Sequence, residues 1–324
     1  MIFLTGGTGL LGNCVVRELC KREMPVRVLC RKGTSQEAFE GLPVEIILGD
    51  LADKQTIHRA VEGCSAVVHS AAYIHIGWQN LEKSRQVNVQ GTETIIQACL
   101  ANSAKMVHIS TVDTLPAANN IENLIDESGQ GGVAKTPCSY VVSKSEAEAA
   151  VRKAFAEKDL QGHILHPGFM LAPYDWKPSS GRMMLEVNKS PIVAAPPGGC
   201  SFCDARDVAS AIVNSISMAR QSQNYILAGD NLTYQELWRA MLRATGRKKR
   251  VAEMGSAVRF FGNLIDAAIK VLPIREGDVN GAAIAMGSLK HFYTSQLAEA
   301  ELNYMRRPVD ETLADAWKWL EARF

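Results

Sequence analysis

Tyr140 and Lys144 are the residues of this chain whose types and spacing point most directly to chemistry. They stand four apart in Ser139-Tyr140-Val141-Val142-Ser143-Lys144, at the start of a strongly helical stretch, and so share one helix face. A free phenol titrates near 10 and is a poor base at neutral pH. A lysine ammonium a few ångströms away favours the phenolate and brings that pKa down. The pair can then carry a proton to or from a substrate oxygen. Upstream, an apolar run ends in Ile109-Ser110-Thr111-Val112. A hydroxyl there could hold the same oxygen, with Thr111 the first choice and Ser110 the second. The competing reading of both is a hydroxyl that caps its own loop.

The N-terminus supplies a second chemistry. Thr5-Gly6-Gly7-Thr8-Gly9-Leu10-Leu11-Gly12 follows a short apolar run and precedes a helical stretch. It fits Gly-x-Gly-x-x-Gly from Gly7, and Gly6-x-x-Gly9-x-x-Gly12 as well. Glycines there let backbone N–H groups approach a pyrophosphate at the positive end of a helix dipole. A dinucleotide so held brings a nicotinamide, and the Tyr/Lys pair then serves hydride transfer. The second apolar run ends Cys30-Arg31-Lys32, with no carboxylate between Glu23 and Glu37. An acidic residue there would take ribose hydroxyls, whereas an arginine suits a 2′-phosphate. NADP(H) is therefore expected over NAD(H), the alternative for Arg31 and Lys32 being a solvated strand end. In Gly49-Asp50-Leu51, Asp50 is either an acceptor for the adenine amino group or the N-cap of a following helix.

Elements that could position these residues alternate through the first half. Strands are expected at 1–4, 26–30, 44–48, 66–69, 106–109 and 163–165, and helices at 12–21, 53–61, 83–101 and 139–156. Such alternation predicts an α/β fold: a doubly wound parallel sheet of Rossmann type with the ligand at the carboxyl ends of its strands. Residues 1–166 are read as the dinucleotide-binding region. Residues 167–324 are read as a smaller, less regular substrate lobe, with segments near 200–230 returning to the core. Helices are expected at 207–218, 234–245, 256–272 and 313–323. The amphipathic 256–272 stretch reads as core or subunit contact before it reads as a lid.

Composition narrows the function. The 324 residues are 47% hydrophobic with a formal net charge of +1, which argues against a phosphate-neutralising nucleic-acid binder. The run Arg247-Lys248-Lys249-Arg250 reads as a solvated turn. No stretch reaches the ~18 uncharged apolar residues of a membrane span. The chain opens inside its first strand, so a cytoplasmic protein is expected. The eight cysteines read as reduced core residues. Cys200-x-x-Cys203 lacks a second ligand pair, and no metal is expected.

In order, Thr5-to-Gly12, Gly49-Asp50-Leu51, His69-Ser70-Ala71-Ala72, Val87-Asn88-Val89-x-Gly91-Thr92, Ser110-Thr111, Tyr140-x-x-Ser143-Lys144 and Asp207-Val208-Ala209 resemble the extended short-chain dehydrogenase/reductases, which include the NAD-dependent epimerase/dehydratases. The resemblance covers nearly the whole chain. It implies Tyr140 as acid/base, Thr111 as its hydroxyl partner, Lys144 on the nicotinamide ribose, Ala71 and Ala72 lining the cofactor, and Asn88 bracing the central helix. Leu165-His166-Pro167-Gly168-Phe169-Met170 is similar to the dihydroflavonol 4-reductase and 3β-hydroxysteroid dehydrogenase branch, in which Pro and Gly pass the backbone close to the nicotinamide. It lacks the Arg-Tyr/Phe-x-Asn pattern of sugar-nucleotide enzymes. His166 reads as a core histidine before a proton donor. A homodimer is implied by the resemblance alone.

The cofactor site is thus expected to draw on Gly6, Thr8, Gly9, Leu10, Leu11, Gly12, Arg31, Lys32, Asp50, Leu51, Ser70, Ala71, Ala72, Ser110, Tyr140, Lys144, His166, Pro167 and Gly168. Substrate contacts are sought among Thr111, Tyr73, His75, Trp78, Tyr174, Trp176, Arg182, Met183 and Met184, with Trp176 and Tyr73 foremost and most of the others expected in the core. Such residues suit a small, mainly apolar substrate. The expected activity is an NADP(H)-dependent carbonyl reductase or alcohol dehydrogenase. The alternatives are a sugar-nucleotide epimerase or dehydratase that retains its cofactor, and a non-catalytic dinucleotide sensor.

Overall fold

The N-terminal apolar run forms β1 (Ile2–Thr5), every residue of it buried. Strands covered on both faces need such runs, and a parallel sheet covered by helices supplies that environment. A computed structural model describes residues 1–218, 222–254 and 280–324. In it β1 is followed by α1 (Leu10–Lys21), β2 (Val26–Cys30), β3 (Val44–Leu48), α2 (Lys54–Val61) and β4 (Ala66–His69). Next come α3 (Leu81–Arg85), α4 (Gly91–Asn102), β5 (Lys105–Ile109), α5 (Ser139–Glu157) and β6 (Gly162–Pro167). The helix expected at 83–101 is longer and widens into a π-helical turn, Gln86–Gln90, between α3 and α4. Such turns recur at functional sites, and this one carries the buried Asn88.

Beyond β6 lie β7 (Phe169–Leu171), α6 (Ser180–Lys189), β8 (Val193–Ala195), β9 (Gly199–Asp204), α7 (Ala205–Ile216) and β10 (Gln223–Leu227). They are followed by β11 (Asp230–Thr233), α8 (Tyr234–Ala244), β12 (Val251–Glu253), β13 (Lys290–His291) and a C-terminal helix, Val309–Glu321. The large sheet has seven strands in the order β10-β6-β5-β4-β1-β2-β3, and all its pairs are parallel. Strand order reverses between β1 and β4, so their carboxyl ends flank the crevice where ligands of such sheets bind. β10 was not anticipated as a strand. A second sheet is built on β9, with β11 antiparallel to it and β7 and β13 parallel. Helices α6, α8 and the C-terminal helix enclose a separate core that includes Leu171, Met184, Phe202, Leu237 and Leu313. The helix expected at 256–272 lies outside the described residues.

Cys200 and Cys203 are buried free thiols of β9. Three residues apart, they take opposite faces of the strand: Cys203 joins the core of the large sheet and Cys200 that of the second. Burial pushes both thiols up.

The start of α7 is clamped to the C-terminal helix by Asp204, which is 3% exposed. Its carboxylate accepts from the Arg206 backbone N–H at 2.7 Å and from the Arg206 guanidinium at 2.6 and 3.0 Å. Thr312 of the C-terminal helix donates to it at 3.0 Å, and Arg206 reaches on to Asp315 at 2.7 Å. Removing one member of a buried ion pair leaves the other uncompensated. Asp204→Ala is therefore expected to lower stability by about 3–5 kcal/mol. A fall in the urea midpoint at unchanged m-value checks this.

Candidate active site

At the carboxyl end of β1 the chain turns through Gly6, whose φ is +81°, and enters α1 at Gly9. A Cβ on Gly12 would lie 2.2 Å from the Gly6 carbonyl oxygen, and one on Gly6 2.7 Å from the Ala71 nitrogen. Protein packing thus explains both glycines. It does not explain Gly9, which is exposed and would bring a Cβ no closer than 3.4 Å to another residue. Having no side chain, Gly9 also leaves the first-turn N–H groups of Leu10, Leu11 and Gly12 without a side-chain cap. A bare, uncapped helix start facing open space fits a phosphate group. Asn13 fixes the turn from behind by donating to the carbonyls of Gly7 and Ala38 at 3.3 and 3.0 Å.

Arg31 and Lys32 are exposed just beyond β2, with no ion pair among the described residues. Asp50 is not the N-cap of the helix that follows. That place belongs to Asp53, which accepts from the Thr56 N–H at 3.0 Å, while Asp50 caps its own turn at Ala52. Leu51 packs partly buried against the core under the sheet. Ser70, Ala71 and Ala72 follow β4, and the Ala71 N–H donates to the Thr5 hydroxyl at 3.2 Å.

Three residues of α5 align at intervals of four: Tyr140, Lys144 and Glu148. Glu148 had no role in the sequence reading, although the spacing was there to extend. It is buried, and five hydrogen bonds meet on it. Ser110, Thr114 and His166 Nε2 reach Oε2 at 2.6, 2.9 and 3.0 Å. Arg152 reaches Oε1 through two nitrogens at 3.0 and 2.7 Å. Burial alone would raise this carboxyl's pKa, but the His166, Ser110 and Arg152 contacts outweigh it and hold Glu148 ionised. The side chains of Ser110 and His166 thus point into this cluster. Gly168 has a local reason too: a Cβ there would lie 2.3 Å from the Ser201 carbonyl oxygen. Its bareness is needed for contact with β9. Pro167 ends β6, paired in register with Leu227 of β10.

Lys144 is 4% exposed, and its ammonium donates to the Ile109 carbonyl at 2.6 Å. Burial pushes its pKa down to about 8, against the pull of Glu148. Tyr140 is half-buried in the first turn of α5. Contrary to the sequence expectation, the phenol's pKa is raised. Burial is the main cause and the charge of Asp113 the next; the Thr111 contact works against them. Lys144 is turned to Ile109 and does not provide the expected depression in this arrangement. The Thr111 hydroxyl donates to Asp113 Oδ2 at 3.0 Å.

The segment after β4 crosses the start of α5. The carbonyls of His75 and Gly77 accept from the N–H groups of Tyr140 and Ser139 at 3.2 and 2.7 Å. Asn88 holds the Tyr73 backbone on both sides, at 2.7 and 3.0 Å, and donates to Ser143 at 2.9 Å. Tyr73 and His75 therefore accompany Tyr140, while Trp78 lies 40% exposed on the same segment. Tyr174 and Trp176 go elsewhere. The Tyr174 ring packs beneath Arg17 at 3.9 Å and on Trp319 at 5.0 Å. Trp176 donates to Asn13 at 3.3 Å and stacks with Arg323 at 4.2 Å. These contacts staple α1 to the C-terminal helix, and neither ring contacts Thr111 or Tyr140. Arg182 stands on α6 within electrostatic reach of Asp175. Met184 is fully buried in the second core, and Met183 packs against it.

The profile of the NAD dependent epimerase/dehydratase family matches residues 2–228, from β1 to just past β10. The chain belongs to this family. A Synechocystis sp. protein named for dihydroflavonol 4-reductase is 26% identical over 98% of this chain and 94% of its own length. Sterol demethylase protein B of Methylococcus capsulatus is 28% identical over 76% of this chain and 75% of its own. The crystal structure of gox2253 superposes with a TM-score of 0.87 at 26% identity, covering 99% of this chain and 98% of that one. The family uses a nicotinamide dinucleotide, and the bare Gly9 turn with its uncapped helix start fits one. Among the described residues no helix is long and apolar enough to cross a membrane.

The buried Lys144 has a consequence for stability. Its pKa near 8 lies below the ordinary 10.5, so between these values the unfolded chain binds the extra proton. Stability is therefore expected to rise from about pH 8 to pH 10, by a few kcal/mol at most. Denaturation of the cofactor-free protein should show this rise, and Lys144→Met should remove it.

Proposed function

We propose that the chain is an NADP(H)-dependent carbonyl reductase, acting in reverse as an alcohol dehydrogenase, on a small and mainly apolar substrate. The observation that carries this reading is the shared α5 face of Tyr140 and the buried Lys144, whose ammonium is held on the Ile109 carbonyl at the end of β5, two residues before Thr111. When bound, the nicotinamide supplies the hydride to the carbonyl carbon. As charge grows on the substrate oxygen, Tyr140 gives it the phenolic proton, and Thr111 keeps the phenol aimed. Lys144, with two ammonium hydrogens beyond the one given to Ile109, would hold the ribose. Leu10, Leu11 and Gly12 would receive the pyrophosphate on their N–H groups.

Arg31 and Lys32 support the phosphorylated cofactor: they are exposed, unpaired among the described residues, and have no carboxylate beside them in sequence. Relatives named for a dihydroflavonol and a sterol support an apolar, ring-containing substrate. Tyr73 and the segment to Trp78 are the lining residues this reading favours. Tyr174 and Trp176, already engaged with α1, are set aside.

Tyr140→Phe is expected to lower kcat/KM for carbonyl reduction by about 10²–10⁴-fold while NADPH still binds, as followed by fluorescence. Steady loss of nicotinamide absorbance with a carbonyl substrate separates a reductase from an epimerase, which consumes no net cofactor. Arg31→Ala is expected to weaken NADPH about 10- to 100-fold and leave NADH unchanged, the scale of one charged hydrogen-bonded pair. Equal binding of NADH and NADPH by the unaltered protein would overturn the cofactor assignment.

A further inference from the structure

Helix α8 ends at Gly246, whose φ of +67° turns the chain back on itself. The N–H groups of Gly246 and Arg247 close the turn on the carbonyls of Arg243 and Leu242, at 3.0 and 2.9 Å. A left-handed glycine is a common helix stop, and here it sends Arg247-Lys248-Lys249-Arg250 past the helix end into β12. With Arg239 and Arg243 of α8, this run lines one cavity of about 610 Å³, where Glu253 is the sole carboxylate. No residue of the glycine turn, of α5 or of the segment after β4 lines it.

Six cations in one concave place exceed what a solvated turn needs. Arg239 and Arg243 stand four apart on α8, a like-charge spacing that destabilises a helix. One cation complements the negative end of a helix dipole, and Arg243 in the last turn supplies it. Arg243 also reaches Asp310 at 3.2 Å, whereas Arg239, Lys248 and Arg250 have no ion pair among the described residues. The whole chain carries a formal net charge of only +1, so the cavity concentrates charge that the rest of the chain offsets. Two of the cations are held in place by the end of α6. Lys249 donates to the carbonyls of Asn188 and Ser190 at 2.6 and 2.8 Å, and Arg247 to Asn188 Oδ1 at 3.2 Å. Side chains fixed in this way lose less freedom when an anion arrives.

We propose that this cavity binds a multiply charged, phosphate-bearing anion at a site separate from the dinucleotide turn. Guanidinium forks match pairs of phosphate oxygens, and Lys248 adds a point charge. A free oligophosphate and the headgroups of an anionic lipid surface present the same chemistry. The lipid source has one further support. Val193 of β8 and Val251 of β12 pair in register and are buried, while Ile192, at the register position beside Arg250, is 79% exposed. The proposal does not depend on the reductase reading.

Calorimetric titration of the full chain with inorganic tripolyphosphate, in the presence of NADPH, tests the site. Lys248→Gln and Arg250→Gln are each expected to weaken binding about 10-fold, the scale of one charge-assisted contact. Arg239→Gln reads the same cavity from the helix side, and Lys158→Gln, an exposed charge at the end of α5, should change nothing. Co-sedimentation with vesicles of phosphatidylglycerol and phosphatidylcholine in equal parts, against phosphatidylcholine alone, reads the lipid source. Ile192→Ser should reduce that sedimentation and leave tripolyphosphate binding intact. Binding of either probe that falls in the cavity variants upholds the proposal and identifies the source. It is overturned if neither probe binds, or if all three cavity substitutions leave binding unchanged, which would place the anion at the glycine turn. Capture of duplex DNA with neither probe bound overturns it as well.

Discussion

The buried carboxylate of Glu148 fixes α5, the helix of Tyr140 and Lys144, against the sheet. Taking a carboxylate out of water costs several kcal/mol unless its lone pairs are satisfied. Here they are satisfied by Ser110 and Thr114 beyond β5, by His166 on β6 and by Arg152 one turn along α5. Two strand ends and one helix therefore share a single acceptor, and α5 cannot roll without exposing an unpaired charge. Lys144 and Tyr140 lie one and two turns earlier on the same face. Their places over Ile109 and Thr111 follow from that restraint, as a proton-transfer group held by its supporting contacts requires.

A second chain of contacts joins the glycine turn to the same helix. Thr92 gives its hydroxyl hydrogen to the Asn88 carbonyl at 2.6 Å, so the His69 Nε2–H must donate to Thr92. The His69 Nδ1 then accepts from Thr5, at the end of β1, at 2.8 Å. Burial pushes the His69 pKa down to about 3, which keeps the ring neutral and this order intact. From the π-helical turn, Asn88 continues to Ser143, which donates to the Tyr140 carbonyl at 3.0 Å. The strand that opens the phosphate turn and the helix that carries Tyr140 are thus connected by neutral groups with matched donors and acceptors.

What the sequence made legible was local. The first six strands of the large sheet, the glycine turn, and the shared face of Tyr140 and Lys144 follow from period and spacing alone. The partners of a polar side chain do not. Ser110 and His166 stand where cofactor contacts were expected, yet both turn inward because Glu148, far along the chain, needs donors. Gly168 was expected to let the backbone pass close to a nicotinamide, and its bareness also admits the Ser201 carbonyl. Tyr174 and Trp176 show why aromatic residues alone say little about a pocket: a ring that lines a cleft and one that stacks on Arg17 or Arg323 have the same composition. Seven-strandedness was missed for a related reason. β10 is one run of Gln223–Leu227 among irregular segments, and only its pairing with β6 makes it part of the sheet.

Charge is divided between rim and interior in a way that bears on the substrate. Arg31 and Lys32, with no ion pair among the described residues, stand exposed just beyond β2, where water lowers their self-energy. Inside, the full charge of Glu148 is saturated by hydrogen bonds, while the Lys144 ammonium is penalised by burial and the Tyr140 phenol is biased toward its neutral form. An interior of this kind offers little to a strongly polar ligand, which would lose its hydration without gaining charged partners. For the carbonyl reductase proposed above, such an interior would suit a carbonyl group on an apolar frame, whose oxygen acquires charge only as reaction proceeds.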